Sequence, residues 1–254
     1  MDNITAILAY TIKQHLRHKI YLVVFLFGLV LITGALVISS LSTGRVRMLL
    51  NLGLSSIEFL ALITIIFTTV NLILEELESR TIYLMLAHPL KRWQYILGRF
   101  SGTVISVLFG MLSMVILHLA LLFMAGWHWQ NYYAIAMLCS FGKIIVMSAI
   151  TLLISLFTTS AATAMSFSAL VWILGHFSEE LNYLGEKSAN IIVKSVVWAI
   201  YNIAPNFSYF NYRDFWAAAQ VPSAAWFGWM IIYTFSYTGI CLILSNFLFS
   251  QKEF

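Results

Sequence analysis

EELESRTIYLMLAHPLKRWQYILGRFSG, residues 75–102, is the densest run of charge in the chain, and long apolar stretches flank it on both sides. Across 254 residues the composition is 61% hydrophobic and only 9% charged, whereas soluble domains carry about a quarter charged residues. The fold class that follows is an all-α membrane protein. The charged run then joins two membrane-crossing segments, and because the rest of the chain holds little polar chemistry, energy or reactivity is expected from a partner docked on this run.

A spanning helix needs about 20 mostly apolar residues. That length picks out about six transmembrane helices, at 20–41, 57–74, 103–125, 133–157, 162–177 and 225–249. The first apolar run is longer than the core of a signal peptide, about 7–15 residues, so it reads as a retained anchor. Residues 1–254 form a single transmembrane domain in this reading, with an N-terminal helix over 1–19, a cytoplasmic loop over 75–100 and an extracytoplasmic segment over 178–222.

Lys and Arg placement orients the chain. With the N-terminus inside, the cytoplasmic side receives Lys13, Arg17, Lys19, Arg80, Lys91, Arg92, Arg99 and Lys252, and the outer side Arg45, Arg47, Lys187, Lys194 and Arg213. An even number of spans places both termini in the cytoplasm. The net charge of +4 comes from short basic clusters beside apolar runs, which is the pattern of topology determinants and not of nucleic-acid contacts. Cys139 and Cys241 fall inside apolar runs, where cysteine behaves as a small hydrophobe, so neither a disulfide framework nor a zinc site is expected.

Ahead of the first span, Ile4, Ile7, Leu8, Thr11, Ile12 and His15 recur at helical spacing, with Lys13, Gln14, Arg17 and His18 on the opposite side. The pattern predicts an amphipathic helix lying in the inner interface. Within the charged run, Glu76 precedes Arg80 by four residues, the favourable order for a helical pair, and a short helix is expected to begin there. Pro89 disfavours helix at His88 and ends it. Gly98 and Gly102 then supply a small-xxx-small spacing at the start of the third span. Topology alone accounts for the bases of this run but not for its three glutamates, since acidic residues contribute little to orientation.

Ionisable residues inside spans are costly and usually functional. Glu58, His118 and Lys143 meet that description, and Glu58 and Lys143 are expected to face the protein interior and interact, or to line a pathway. Snorkelling of Lys143 and a headgroup position for Glu58 would be the ordinary alternative. His176, Glu179 and Glu180 carry donor types that suit transition metals, but no further His or Cys lies near them in sequence, and a polar helix end meeting water explains them better. No metal site is assigned. Residues 189–203 are apolar nearly all round yet too short to span, which fits an interfacial or re-entrant helix. Trp127, Trp129, Tyr132, Tyr133, Tyr209, Tyr212, Trp216 and Trp226 read as an interfacial aromatic belt.

The run EELESRTIYLMLAHPLKRWQYILGRF resembles the cytoplasmic loop of ABC-type-2 exporter permeases, in which acid, acid, basic or Gly, Thr, then Leu-Leu, Pro, basic and Gly recur after the second span. Glu76, Glu78, Arg80, Thr81, Leu84, Leu86, Pro89, Leu90, Arg92 and Gly98 fall where that pattern puts them. APNFSYFNYRD, residues 204–214, is similar to the stretch before the last span in the subgroup that includes the nitrous-oxide-reductase maturation permease. The resemblance implies a permease subunit in the cell inner membrane that pairs with a second permease subunit and docks a separate ABC ATP-binding subunit. It also implies that Glu75, Glu76, Glu78, Arg80, Thr81, Leu84, Pro89 and Arg92 couple the ATPase to the pathway through a short coupling helix, and that the N-terminal helix is an elbow.

This chain has no Walker motif: Gly142-Lys143 lies in a span and is followed by Ile144 instead of Ser or Thr. ATP and Mg are therefore expected on the partner, with no cofactor on this chain and no enzyme activity of its own. A membrane maturation factor built on the same scaffold is the alternative. A lipid-modifying enzyme would need a cluster of acid, base or metal ligands at one depth, and the sequence offers none.

Overall fold

The computed structural model describes residues 3–17, 20–40, 44–79, 91–188, 190–212 and 222–251. Among these the secondary structure is helical: α1 (Asn3–Arg17), α2 (Ile20–Ser40), α3 (Arg45–Glu78), α4 (Arg92–Met124), α5 (Asn131–Phe157), α6 (Ala161–His176), α7 (Ser178–Lys187), α8 (Ile191–Ile203), a 3-10 turn at Phe207–Phe210, and α9 (Ala224–Gln251). Four of them, α3, α4, α5 and α9, are long and apolar enough to cross a membrane. Counting the pair α6 and α7, bent by 67° at their junction, as one broken span makes five. The expected six would also need α2, whose apolar stretch Gly28–Ile38 is shorter than a span.

α3 is the central post. Its 34 residues extend about 51 Å at 1.5 Å per residue, well beyond the roughly 30 Å hydrocarbon layer. α2, α4, α5 and α6 all pack on it. Its inward side is a continuous run of small and branched side chains, with Ile57, Ile65, Val70 and Ile73 fully buried. Nothing between Leu74 and Glu78 interrupts the helix, so Glu75, Glu76 and Glu78 form its last turn, capped at Ser79. The short helix expected to begin here starts inside α3, and its continuation towards Pro89 lies outside the described residues.

α4 ends in a Schellman arrangement. Gly126 adopts φ +83, its N–H donates to Phe123 O at 3.0 Å, and Trp127 N–H donates to Leu122 O at 3.0 Å. Glycine takes this left-handed conformation without a Cβ penalty. The chain then reverses into α5.

The aromatic residues read as a belt divide in two. Trp127, Tyr132, Tyr133 and Tyr212 are buried and pack on one another, with Tyr132 and Tyr212 ring centroids 4.5 Å apart and Trp127 and Tyr133 5.8 Å apart. Tyr212 Oη donates to Tyr132 O at 2.6 Å. These rings bury their apolar parts against one another, while the buried indole N–H of Trp127 has no hydrogen-bond partner among the described residues. Trp129 and Tyr209 remain exposed. Trp216 lies outside the described residues.

Candidate functional site

Two ion pairs are built on α3, a buried one in its last turn and a part-buried one nearer its middle. The first belongs to the charged run. Glu76 is buried and ion-paired to Arg99 of α4, whose side chain is 0% exposed. Tyr95, one turn earlier on α4, donates its hydroxyl to the other Glu76 oxygen at 2.5 Å. Arg99 also donates to Thr11 Oγ1 at 2.9 Å and Gln14 Oε1 at 3.3 Å, both on α1, and its guanidinium lies 5.2 Å from the Tyr10 ring centroid. Next to it, His15 Nε2 meets Thr103 Oγ1 at 3.3 Å. Since that hydroxyl donates to Arg99 O at 2.8 Å, the imidazole supplies the proton of the His15–Thr103 bond. Buried charges persist when paired and hydrogen-bonded, and Arg99 of α4 meets this condition through partners on α3 and α1.

α1 reaches this position because of two glycines. A Cβ on Gly98 would lie 2.7 Å from Ile7 Cβ, and one on Gly102 would lie 2.6 Å from Thr11 Cβ. The small-xxx-small spacing thus lets α1 lie directly on α4, with Ile7, Thr11 and His15 forming the buried stripe. The amphipathic pattern of α1 serves this contact with protein. A further tie fixes the start of α4: Arg92 donates to Phe249 O at 2.9 Å and Ser250 O at 2.5 Å, the terminal carbonyls of α9. A cation suits the negative end of a helix dipole. Tyr95 stacks on Phe249 with centroids 5.1 Å apart.

Both flanks of the 79–91 connection are therefore anchored, one through Glu76 and the other through Arg92, Tyr95 and Arg99. Glu75 and Glu78 are exposed. Arg80, Thr81, Leu84 and Pro89 lie outside the described residues. Glu76, by contrast, points into the protein, so its carboxylate is not part of an accessible surface.

The second pair lies eighteen residues back along α3, at Glu58. Lys143 Nζ donates to Glu58 Oε1 at 2.7 Å, and Ser140 Oγ donates to Glu58 Oε2 at 2.9 Å. His176, the last residue of α6, places Nε2 at 3.4 Å from Lys143 Nζ and 3.6 Å from Glu58 Oε1. Three helices meet at this cluster. Above it sits the 3-10 turn: Phe207 packs on His176 with centroids 5.2 Å apart. A Cβ on Gly175 would approach Phe207 and Pro205 O to 2.7 Å, and one on Gly142 would approach Phe210 to 2.6 Å. Asn206 Oδ1 accepts from Ser178 Oγ at 2.9 Å and from Ser208 N–H at 2.9 Å, and Tyr233 Oη accepts from Asn206 N–H at 2.7 Å. The APNFSYF segment is thus held as a plug over the cluster.

His118 is fully buried elsewhere on α4, with Nδ1 at 3.0 Å from Tyr133 Oη and Nε2 at 3.3 Å from Leu49 O. A carbonyl can only accept, so Nε2 carries the proton and Nδ1 accepts from the tyrosine. His118 joins neither ion pair. His176 turns towards Glu58 and Lys143, while Glu179 and Glu180 are exposed on α7. Among the described residues no group of three metal-ligand side chains occurs.

The resemblance puts Glu76 among the ATPase-coupling residues, whereas its contacts in the structure are Arg99 and Tyr95, neither of which is in that set. A usable signal was present: Arg99 is a base embedded in the otherwise apolar YILGRFSG and lies between two glycines four residues apart. Near the same end, a groove of about 810 Å³ opens between α5, α6 and α9, lined by Leu153, Phe157, Phe167, Leu244 and Phe247 with Thr163 at its edge.

Among curated proteins, none matches the chain. The family described as ABC-2 family transporter protein matches residues 5–253. With helices apolar enough to cross a membrane and a family match over nearly its whole length, this chain belongs to the ABC-2 family of transporter permeases.

Proposed function

We propose that this chain is the transmembrane subunit of an ATP-driven exporter, works as a dimer with an identical or homologous permease, and takes its energy from a separate ATP-binding subunit docked at residues 75–92. The observation that carries the reading is the anchoring of both flanks of that connection. Force applied to residues 79–91 reaches α3 through Glu76, α1 through Arg99, and α9 through Arg92, so one docking site can move three helices together. Exposed Glu75 and Glu78 meet the partner directly, along with Arg80, Thr81, Leu84 and Pro89. Glu76 acts indirectly, by holding Arg99.

In this reading α1 is the elbow helix, α2 is the first of six spans, both termini are cytoplasmic, and the protein lies in the cell inner membrane. ATP and Mg reside on the partner, and this chain binds no cofactor. Likeness of residues 204–214 to the nitrous-oxide-reductase maturation subgroup supports a second reading, a maturation factor that hands a small species to a partner enzyme on the same scaffold.

Co-purification in mild detergent from the native host, followed by mass spectrometry, tests the proposal. A stoichiometric ATP-binding subunit, lost in the Glu75→Lys/Glu78→Lys variant while that variant still inserts and stays monodisperse, is the expected result. Recovery of wild-type chain without any ATPase removes the exporter reading.

A further inference from the structure

The groove between α5, α6 and α9 is apolar along its length and polar at one mouth. Leu153 and Phe157 of α5, Phe167 and Val171 of α6, and Leu244 and Phe247 of α9 wall its volume of about 810 Å³. Thr158, Thr159 and Thr163 stand at the mouth, beside the turn that joins α5 to α6. The Thr158 hydroxyl donates to Ile154 O at 3.0 Å and that of Thr163 to Ser160 O at 2.8 Å, while Thr159 and Ser160 are exposed. Ser160 is the N-cap of α6, yet its side chain makes no capping bond, and no acidic residue occupies the first turn. The N–H groups of Ala161, Ala162 and Thr163 therefore meet no acceptor among the described residues. Open N–H groups and the positive end of the helix dipole favour an anion at this point.

We propose that the groove holds a phospholipid, with one acyl chain between α5, α6 and α9 and the phosphate at the N-terminus of α6. The mouth lies at the right depth for this. Leu156, in the last turn of α5, packs in one cluster with Tyr95 and Phe249, so the mouth is on the same side of the bundle as the Glu76–Arg99 pair. From there the apolar wall of α6 runs eight residues, Thr163 to Val171, about 12 Å along the helix. The lipid comes from the leaflet on that side. Unmet N–H groups are costly in hydrocarbon, and a phosphate satisfies them while the chain of the same molecule covers the apolar walls. A second copy of this chain laid on the groove would cover the walls alone. α6 itself packs on α3 and α5, with Ala164, Ser168 and Gly175 as its buried residues. The acyl chain bridges it to α9.

The test uses the full chain in phosphatidylcholine nanodiscs and needs neither transported substrate nor ATPase, so its failure is separate from failure of the exporter reading. The nanodiscs carry a small fraction of phosphatidylglycerol with a diazirine on one acyl chain, and illumination is followed by digestion and mass spectrometry. Label is expected to concentrate several-fold on the groove peptides, residues 153–167 and 244–248, relative to the exposed α4 side chains Phe109 and Ile116, which report ordinary bilayer contact. A diacylglycerol probe with the same chain but no phosphate should show no such preference. Ser160→Asp puts a carboxylate where the phosphate sits, and because Asp is a good N-cap the variant should melt no lower than wild type. Its groove labelling is expected to fall to the α4 level. Leu244→Trp, which fills the groove and leaves the α6 N-terminus intact, should do the same, and it carries the test should Ser160→Asp not fold. Equal labelling of groove and α4 in wild type means bilayer contact only and overturns the proposal. Undiminished labelling in Ser160→Asp, or equal labelling by diacylglycerol, overturns the phosphate seat. A groove protected from both probes is covered by protein, and that outcome overturns the lipid.

Discussion

Glu58 and Glu76 lie on one face of α3, eighteen residues or five turns apart, about 27 Å along the helix axis. Each is paired to a different neighbour, Glu58 to Lys143 of α5 and Glu76 to Arg99 of α4. Their separation approaches the thickness of the hydrocarbon layer, roughly 30 Å. One helix thus carries both ion pairs, and between them the side chains are apolar or hydroxyl except for Asn71 and Glu75. Threonines 64 and 68 in that interval donate back to Leu60 O and Thr64 O of their own helix, which keeps their polarity within α3.

Arg99→Met is expected to cost about 3–5 kcal/mol, because it strands the Glu76 carboxylate in the interior. The double variant Arg99→Met/Glu76→Leu should recover a large part of that loss, since neither charge remains to be desolvated. Thermal unfolding followed by size-exclusion chromatography in detergent measures both. A double variant no better than the single one would mean that the contacts of Arg99 with α1 matter more than its pairing with Glu76.

Gly98→Ala places a Cβ 2.7 Å from that of Ile7. It should destabilise the α1–α4 contact by about 1–3 kcal/mol, the usual cost of overpacking. Ile7→Ala in the same chain should restore part of it by vacating that space. Cross-linking yield between cysteines introduced on α1 and α4 reports the contact directly.

A third prediction concerns Gly53, whose hypothetical Cβ falls 2.0 Å from His118 Nε2. Gly53→Ala must drive the imidazole away from Leu49 O and Tyr133, exposing two buried hydrogen-bonding groups at about 1–3 kcal/mol each. His118→Ala should relieve the clash in Gly53→Ala, so that the double variant unfolds at a higher temperature than Gly53→Ala alone. Equal melting of the two would exclude the clash as the cause.

Lys143→Met leaves the Glu58 carboxylate with Ser140 and His176 only, and should lower the yield of folded protein in membranes. Adding Glu58→Gln should restore yield by removing the unpaired charge. If Glu58→Gln and Lys143→Met each left both transport and assembly intact, the pair would have no role beyond its geometry.

Much of the architecture can be read directly from composition and spacing. The apolar runs at 133–157 and 225–249 coincide closely with α5 and α9, and that at 103–125 with the later part of α4, which begins at Arg92, because burying a backbone in lipid leaves a helix of fixed minimum length as the main solution. The stripe Ile7, Thr11, His15 appears in both the sequence and the buried face of α1. Less legible was the extent of α3: Arg45 and Arg47 read as an outer loop, yet they open the helix, since a few charged residues at a helix end do not break it.

What the sequence determined by itself was the class, the apolar segments, the family resemblance carried by residues 75–102, and the presence of ionisable residues where lipid makes them costly. Which of those residues meet was decided by tertiary structure alone. Glu76 and Arg80 look like partners four residues apart, yet Glu76 pairs with Arg99 on another helix. His176 looks like a companion of Glu179 and Glu180, yet it turns to Glu58 and Lys143 from two other helices. The physical reason is that helical periodicity fixes the direction of a side chain around its own axis and says nothing of which helix lies opposite. That choice depends on how closely the backbones approach, and here the approach is set by Gly98 and Gly102 under α1 and by Gly142 and Gly175 under Phe210 and Phe207.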